Sequence, residues 1–197
     1  PEGDITSESV IPADSVSEAI IVAKEDGVLA GIDVAARVFE KIDARTRFEG
    51  IFEDGQAFKA QDILATVKGN SIALLKGERT ALNFLQRMSG IATRTRRFVQ
   101  AVSGTGTIIL DTRKTTPTLR FLEKYAVKMG GGENHRSSLS EMVLLKDNHL
   151  RLVGSIAEAV RAARKRTKSG TKIEVEVTNF DQAKEAVEAG LPIKESQ

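Results

Sequence analysis

Apolar and polar residues follow two different periods in the first half of the chain. Helical spacing recurs over residues 34–42, where Asp33 is predicted to cap the helix, and again over residues 78–102. Short apolar runs predict strands at residues 19–23, 63–67 and 71–75. A Ser-Gly-Thr-Gly segment at residues 103–106 then breaks the pattern. Residues 1–103 are therefore predicted to form an α+β domain.

In the second half, short apolar runs alternate with amphipathic segments. Strands are predicted at residues 107–111, 142–146 and 172–177, and helices at residues 118–129, 155–166 and 181–189. This alternation is typical of a parallel α/β sheet. Three such units are fewer than the eight of a closed barrel, which takes about 250 residues. We therefore expect residues 104–197 to form a partial α/β barrel, and the chain to be part of a longer protein.

Composition narrows the class of protein. Charged residues make up 28% of the chain with a net charge of +2, so a nucleic-acid binder with a broad basic face is not expected. The chain contains no cysteine, which excludes disulfides and thiolate chemistry. No apolar run approaches the roughly 20 residues that cross a membrane. The first residues lack a signal pattern, so we expect a cytoplasmic protein.

Cationic side chains follow the predicted strands of the second half. The first predicted strand is followed by Thr112, Arg113 and Lys114, and the next strand ends at Lys146. Three glycines precede the segment that contains His135 and Arg136. Catalytic groups gather at the carboxyl ends of parallel strands. Arginine pairs with carboxylates through two hydrogen bonds, and lysine acts as a point charge on phosphate. The pattern favours a pocket for a ligand with several negative charges, although a solvated basic turn and a merely flexible glycine loop are alternatives.

Two further features are open to two interpretations each. Glu174 and Glu176 share one face of a strand, either inside a barrel or on the wet face of an edge strand. Arg79 is predicted at the start of the long helix, where the macrodipole disfavours a cation. Its role is either to bind an anion or to pair with Glu78. Three arginines, Arg94, Arg96 and Arg97, are predicted to form an ordinary exposed helix face.

Several blocks together resemble a known family, the quinolinate phosphoribosyltransferases, also called nicotinate-nucleotide pyrophosphorylases (carboxylating). The blocks are residues 3–6, 78–83, 89–93, 111–117, 130–136, 146–149 and 174–177. The resemblance implies an open-faced α/β sandwich followed by an incomplete parallel barrel. It also implies an enzyme of NAD biosynthesis. This enzyme joins quinolinate to phosphoribosyl pyrophosphate and yields nicotinate mononucleotide, pyrophosphate and carbon dioxide.

The resemblance also implies roles for individual residues. Arg113, His135, Arg136 and Lys146 would hold the quinolinate carboxylates, with Thr112 beside them. Catalysis would rest on Lys114, Glu176 and Lys146, the first two facing the ribose and the pyrophosphate, which carries Mg²⁺. Arg79 would enter the site from a neighbouring subunit, so a homodimer or higher homo-oligomer with a shared active site is implied.

The sequence departs from the family pattern at two points. Thr118 stands where the family usually has glycine, which would alter the entry into the following helix. An aspartate on the next strand and later phosphate-binding loops of the family lie beyond this sequence, so the chain by itself is expected to be a poor catalyst. Two alternatives remain open. They are a relative of different specificity, associated with molybdenum transport, and a non-catalytic dicarboxylate-binding fragment.

Overall fold

A computed structural model describes residues 3–192 and contains a mixture of helices and strands. The helices are α1 (Ile5–Val10), α2 (Ile32–Ile42), α3 (Ser71–Ala101), α4 (Arg120–Met129), α5 (Asp147–Val153), α6 (Ile156–Arg166) and α7 (Phe180–Glu188). The strands are β1 (Val16–Val22), β2 (Gly27–Val28), β3 (Arg47–Gly50), β4 (Ala57–Phe58), β5 (Ile63–Asn70), β6 (Val143–Leu145) and β7 (Ile173–Val175). The mixed α/β class predicted from the sequence is confirmed. Within the described range, no helix is long and apolar enough to cross a membrane.

The chain divides into two compact units, one ending at His135 and the other beginning at Arg136. In the first unit, β5 lies between β1 and β3 in an antiparallel sheet, and β2 pairs with β4. Helices α2 and α3 cover this sheet through a core that includes Phe39, Val67, Leu74 and Leu85. The predicted domain boundary after residue 103 falls inside this unit and stays a prediction.

The predicted strand at residues 71–75 is wrong, because β5 runs to Asn70 and α3 begins at the next residue. The Asn70 side chain accepts hydrogen bonds from the backbone N–H groups of Ile72 and Ala73 at 3.1 and 3.2 Å. This N-cap satisfies donors that the first helical turn leaves free. Arg79 therefore lies in the third turn of α3, and the helix-start argument for its role fails.

Asp33 does not cap α2 as predicted. The N-cap is Gly31, whose φ of 98° lies in the left-handed region that favours glycine. Instead, the Asp54 carboxylate accepts from the N–H groups of Gly31 and Ile32 at 2.8 and 3.0 Å. Tyr125 of α4 donates to the same carboxylate at 2.7 Å. One remote carboxylate thus stabilises the start of α2 and ties α4 to it.

The predicted strand at residues 107–111 is reduced to a single parallel bridge between Leu110 and Glu133. Two backbone hydrogen bonds form it, from Glu133 N to Ile109 O at 2.8 Å and from Asp111 N to Glu133 O at 3.1 Å. Met88 of α3 and Ala126 of α4 pack in an adjoining core cluster. Before α4 the chain passes through Thr118 at φ 68°, a conformation that strains a β-branched residue.

The second unit contains the predicted parallel pair. β6 and β7 align with Val143 opposite Ile173 and Leu145 opposite Val175. Their inner face packs on α6 and α7 through a core that includes Ile156, Val160 and Ala186. The order is β6, α5, α6, β7 and α7, so helices connect the two parallel strands as expected of a partial α/β barrel.

Candidate active site

A buried ion pair between Asp111 and Lys124 organises the candidate residues of the first unit. The two side chains are 6% and 4% exposed. The Lys124 ammonium also donates to the carbonyl of His135 at 2.7 Å, while Asp111 Oδ1 accepts from the N–H of His135 at 2.9 Å. With its amide oriented to satisfy both partners, Asn134 donates to Asp111 Oδ2 at 2.8 Å. The backbone N–H of His135 therefore donates to the negatively charged Asp111, and its carbonyl accepts from the positively charged Lys124.

The loop after Asp111 presents the other cations of this unit. Thr112 Oγ1 accepts from the backbone N–H of Lys114 at 3.1 Å, and the Lys114 side chain is exposed. The Nε atom of Arg113 is buried and has no hydrogen-bond partner among the described residues. Buried N–H groups without partners are rare in proteins and call for an explanation. An anionic ligand at Arg113 would supply the missing acceptor.

Glu123 of α4 fixes the far end of this loop. Its carboxylate accepts from the backbone N–H of Thr116 at 3.0 Å and from Nε of Arg87 at 3.1 Å. Burial opposes ionisation of Glu123, but the hydrogen bonds from Arg87 and Thr116 outweigh it and hold the pKa of the carboxyl below its ordinary value. The loop that carries Arg113 and Lys114 is thus anchored at both ends.

The three glycines before His135 are not a flexible loop. A Cβ at Gly130 would lie 2.5 Å from the carbonyl oxygen of Ala92 and 2.6 Å from Cβ of Thr95. A Cβ at Gly132 would lie 2.8 Å from the Val127 side chain. The glycines at positions 130 and 132 therefore let this turn pack closely against α3 and α4.

Arg96 secures the same turn, contrary to the prediction that it lies on an ordinary exposed face. Its Nε donates to the carbonyl of Gly130 at 2.9 Å. Its Nη2 reaches the carbonyls of Gly55 and Met129, each at 3.3 Å. A cation at the end of α4 satisfies carbonyls that the helix leaves free. Arg96 is a structural clamp that the sequence pattern did not reveal.

In the second unit, Arg136 is 8% exposed. Its Nη1 donates to the carbonyl of Met142 at 3.1 Å, and its Nε is buried with no partner among the described residues. A buried cation is costly unless it is paired. Arg136 therefore shares with Arg113 a buried Nε atom without an acceptor among the described residues.

Lys146 and Glu176 meet where β6 and β7 end. Nζ of Lys146 donates to Oε2 of Glu176 at 2.8 Å, and both side chains are substantially exposed. The backbone N–H of Lys146 donates to Nδ1 of His149 at 2.9 Å, which gives His149 a structural role at the start of α5. The predicted strand at residues 172–177 is shortened to Ile173–Val175, whose Ile173 and Val175 pack in the core while Glu174 is exposed. Glu176 and Val177 follow the strand, and Val177 is exposed rather than packed in the core as predicted.

Arg79 lies on an exposed face of α3. Among the described residues it forms no ion pair, so the alternative that it pairs with Glu78 receives no support. Metal-ligating side chains are also sparse: residues 3–192 contain no group of three or more histidine, aspartate or glutamate side chains placed to hold a metal ion.

Comparisons with known proteins cover nearly the whole chain. Residues 4–89 match the model of the N-terminal domain of quinolinate phosphoribosyl transferase, and residues 91–193 match its C-terminal domain. A Synechocystis relative named "Probable nicotinate-nucleotide pyrophosphorylase (carboxylating)" is 46% identical over 87% of the chain. A Mycobacterium leprae relative, nicotinate-nucleotide pyrophosphorylase (carboxylating), is 44% identical over 91% of the chain. The chain spans 58% and 63% of the lengths of these two relatives.

Solved structures agree with these sequence matches. The crystal structure of NadC from Streptococcus pyogenes has a TM-score of 0.91 and 42% identity, covering 95% of this chain and 67% of its own. The nicotinate-nucleotide pyrophosphorylase from Francisella tularensis has a TM-score of 0.91 and 40% identity, covering 96% of this chain and 66% of its own.

Proposed function

The chain belongs to the quinolinate phosphoribosyl transferase family, and we propose that the intact protein transfers the phosphoribosyl group of phosphoribosyl pyrophosphate to quinolinate. The reaction releases pyrophosphate and carbon dioxide and yields nicotinate mononucleotide, a precursor in NAD biosynthesis. Relatives at 44–46% identity carry the name of this activity. Neither a relative of different specificity nor a non-catalytic dicarboxylate-binding fragment draws support from these relatives.

The observation that carries the proposal is the state of Arg113 and Arg136. Each has a buried Nε atom without an acceptor among the described residues. Quinolinate brings two carboxylates, and arginine is suited to planar recognition of carboxylate. We assign Arg113, His135, Arg136 and Lys146 to the two carboxylates, with Thr112 beside them.

The chemistry on the sugar is assigned to Glu176 and Lys114. The bond between C1′ of the ribose and the pyrophosphate oxygen breaks, and the quinolinate nitrogen forms a bond to C1′. Positive charge develops on the sugar as pyrophosphate leaves, and the carboxylate of Glu176 would stabilise it. Lys114, which is exposed, would offset charge on the departing pyrophosphate.

The pyridine ring then loses the carboxylate next to its nitrogen. The electron pair of the breaking carbon–carbon bond stays on the ring carbon, beside a nitrogen that ribosylation has made cationic. A proton replaces the carbon dioxide that leaves. Lys146, at the end of β6, is the cation we assign to this step. Its ammonium donates to Glu176 at 2.8 Å, so the two groups lie together at the ends of β6 and β7.

Magnesium would arrive with the pyrophosphate group of the second substrate. Mg²⁺ commonly keeps several waters and binds through one or two carboxylates together with substrate phosphates. Glu174 of β7 and Glu176, directly after it, are the carboxylates that would accompany the substrate phosphates. None of the steps above depends on the ion.

The proposal also concerns the oligomeric state of the protein and its cellular compartment. Arg79 is exposed on α3, as a residue that serves the site of a neighbouring subunit in a homodimer or larger homo-oligomer would be. A cytoplasmic location stays a prediction, and the names of plant relatives place those proteins in the chloroplast or the mitochondrion.

The test is turnover by the intact protein with quinolinate labelled in the carboxyl group next to the ring nitrogen. Nicotinate mononucleotide, pyrophosphate and labelled carbon dioxide should form in equal amounts. An Arg113→Gln variant should lose this turnover, whereas Arg97→Gln, a matched change on the exposed face of α3, should keep it. A folded wild-type protein that releases no labelled carbon dioxide would overturn the proposal.

A further inference from the structure

Lys124 is a buried lysine that has no role in the proposed reaction. It lies on α4 and is 3% exposed. Burying an ammonium is expensive, and replacing a buried ion pair by well-packed apolar residues is often neutral or stabilising. Stability alone therefore does not account for a lysine at this position.

The contacts of the pair all converge on the residues around His135. Lys124 Nζ donates to the carbonyl of His135 at 2.7 Å, and Asp111 Oδ1 accepts from its N–H at 2.9 Å. Asn134, one residue earlier, donates to Asp111 Oδ2 at 2.8 Å and to the carbonyl of Lys124 at 2.9 Å. Charge-assisted hydrogen bonds are stronger and more directional than neutral ones. They fix the backbone on both sides of the His135 Cα atom.

We propose that Lys124 and Asp111 are positioning residues that set the place and orientation of His135 for an anionic substrate. The inference rests on the proposed function, in which His135 binds a quinolinate carboxylate. Asp111 ends the segment that leads to Arg113, so the same pair sets the spacing between His135 and the Arg113 loop. Lys124 itself, with its charge paired and buried, does not touch the substrate.

The test compares variants that separate positioning from stability. Lys124→Met leaves the Asp111 carboxylate buried and unpaired, so it should weaken folding. The double variant Lys124→Met/Asp111→Leu removes both charges and should fold normally. Asp111→Asn provides a second route, since it keeps the size of the side chain but removes its charge. Leu85→Ala, in the core of the sheet, is a control that lowers stability without contacting this network.

The first readout needs no substrate. The sequence contains only two histidines, His135 and His149, so the imidazole signals of protein labelled with ¹⁵N-histidine can be assigned by substitution. In the double variant, the His135 signals should shift and the His149 signals should stay unchanged. Leu85→Ala should move neither set. Unshifted His135 signals in a folded double variant would overturn the proposal.

The second readout is kinetic. A misplacement of about 1 Å costs on the order of 10²-fold in rate constants, so kcat/KM for quinolinate should fall by about 10²-fold in the double variant. The loss should lie mainly in KM for quinolinate, because a carboxylate ligand contributes equally in the ground state and the transition state. A purely structural role would instead lower kcat with the folded fraction, at unchanged KM, and that result would overturn the proposal. If wild-type protein does not turn over quinolinate, the proposed function fails, and the histidine signals still decide whether the pair positions His135.

Discussion

Nζ of Lys146 and Oε2 of Glu176 lie 2.8 Å apart, so an ion pair joins the carboxyl ends of the two parallel strands β6 and β7. Both side chains are substantially exposed, and an ion pair of this kind contributes only about 0–1 kcal/mol to stability. The pair therefore contributes little to folding, and the roles proposed for Lys146 and Glu176 in the reaction are tested by substitution.

We predict that Glu176→Gln slows turnover by about 10²–10³, the usual effect of losing one electrostatic stabiliser of the transition state. Binding of quinolinate should change far less, because the charge on the sugar develops only during the reaction. Steady-state kinetics together with calorimetric titration of quinolinate measure the two effects. Glu188→Gln, the same change on the exposed face of α7, should leave both unaltered. Near-normal turnover of Glu176→Gln would make Glu174 the better candidate.

A pair of glycine variants tests whether the turn before His135 is packed or flexible. Gly130→Ala should destabilise the protein by about 1–3 kcal/mol, since the new Cβ would lie 2.5 Å from the Ala92 carbonyl oxygen. Gly90→Ala, within α3 and with no atom within 4 Å of the new Cβ, should stabilise it by about 0.5–1 kcal/mol. Urea unfolding measures both. Equal, small effects at the two positions would show that the turn is loose.

Thr118 offers a test of backbone strain. Its φ of 68° places a β-branched residue in the left-handed region that favours glycine. Relief of this strain should make Thr118→Gly more stable than wild type by about 1 kcal/mol. Thermal unfolding measures the gain. A loss of stability in Thr118→Gly would mean that the turn before α4 adopts another conformation in solution.

Tyr125 is the only tyrosine in the sequence, so ultraviolet absorbance of its phenolate reports one group. Burial, and then the hydrogen bond to Asp54, raise the pKa of the phenol well above its ordinary value of about 10. The folded state thus holds this proton more tightly than the unfolded state. The associated stability is complete below about pH 10 and is lost as the pH rises further.

The measurement is an absorbance titration of native and urea-unfolded protein. We expect an ordinary pKa for the unfolded chain and a raised one for the native protein. Asp54→Asn should lower the native value, because it removes the charge that opposes the phenolate. A native pKa near 10 would show that the contact between Tyr125 and Asp54 is absent.

Some features that depend on neighbouring residues were predicted correctly from the sequence. The alternation that places Glu174 opposite Ile173 and Val175 has a period of two and needs no tertiary information. Features made by distant partners were missed. Asp54 caps α2 from 22 and 23 residues away, and Arg96 reaches carbonyls 33 to 41 residues away, which no local pattern encodes.

Helix α4 shows that distant partners can also decide which side chains of a single helix are buried. Hydrophobicity alone would bury Phe121 and expose Lys124, yet Phe121 is 81% exposed and Lys124 is 3% exposed. The reversal follows from the ion pair with Asp111, which lies 13 positions earlier in the chain. Arg113, His135 and Arg136 were recognisable as candidate ligands because of their residue types and the family blocks. The hydrogen-bond network that holds His135 was not recognisable from the sequence.

The central proposal is that Arg113, His135, Arg136 and Lys146 bind the two carboxylates of quinolinate. A crystal structure of the intact protein with quinolinate tests it most directly. We expect carboxylate oxygens at about 2.7–3.2 Å from Arg113, His135, Arg136 and Lys146, and Arg79 of a neighbouring subunit at the same ligand. The Nε atoms of Arg113 and Arg136 should then have acceptors, supplied by the ligand or by protein that rearranges around it. Quinolinate bound elsewhere, or bound with Arg113 and Arg136 still unpaired, would contradict the account.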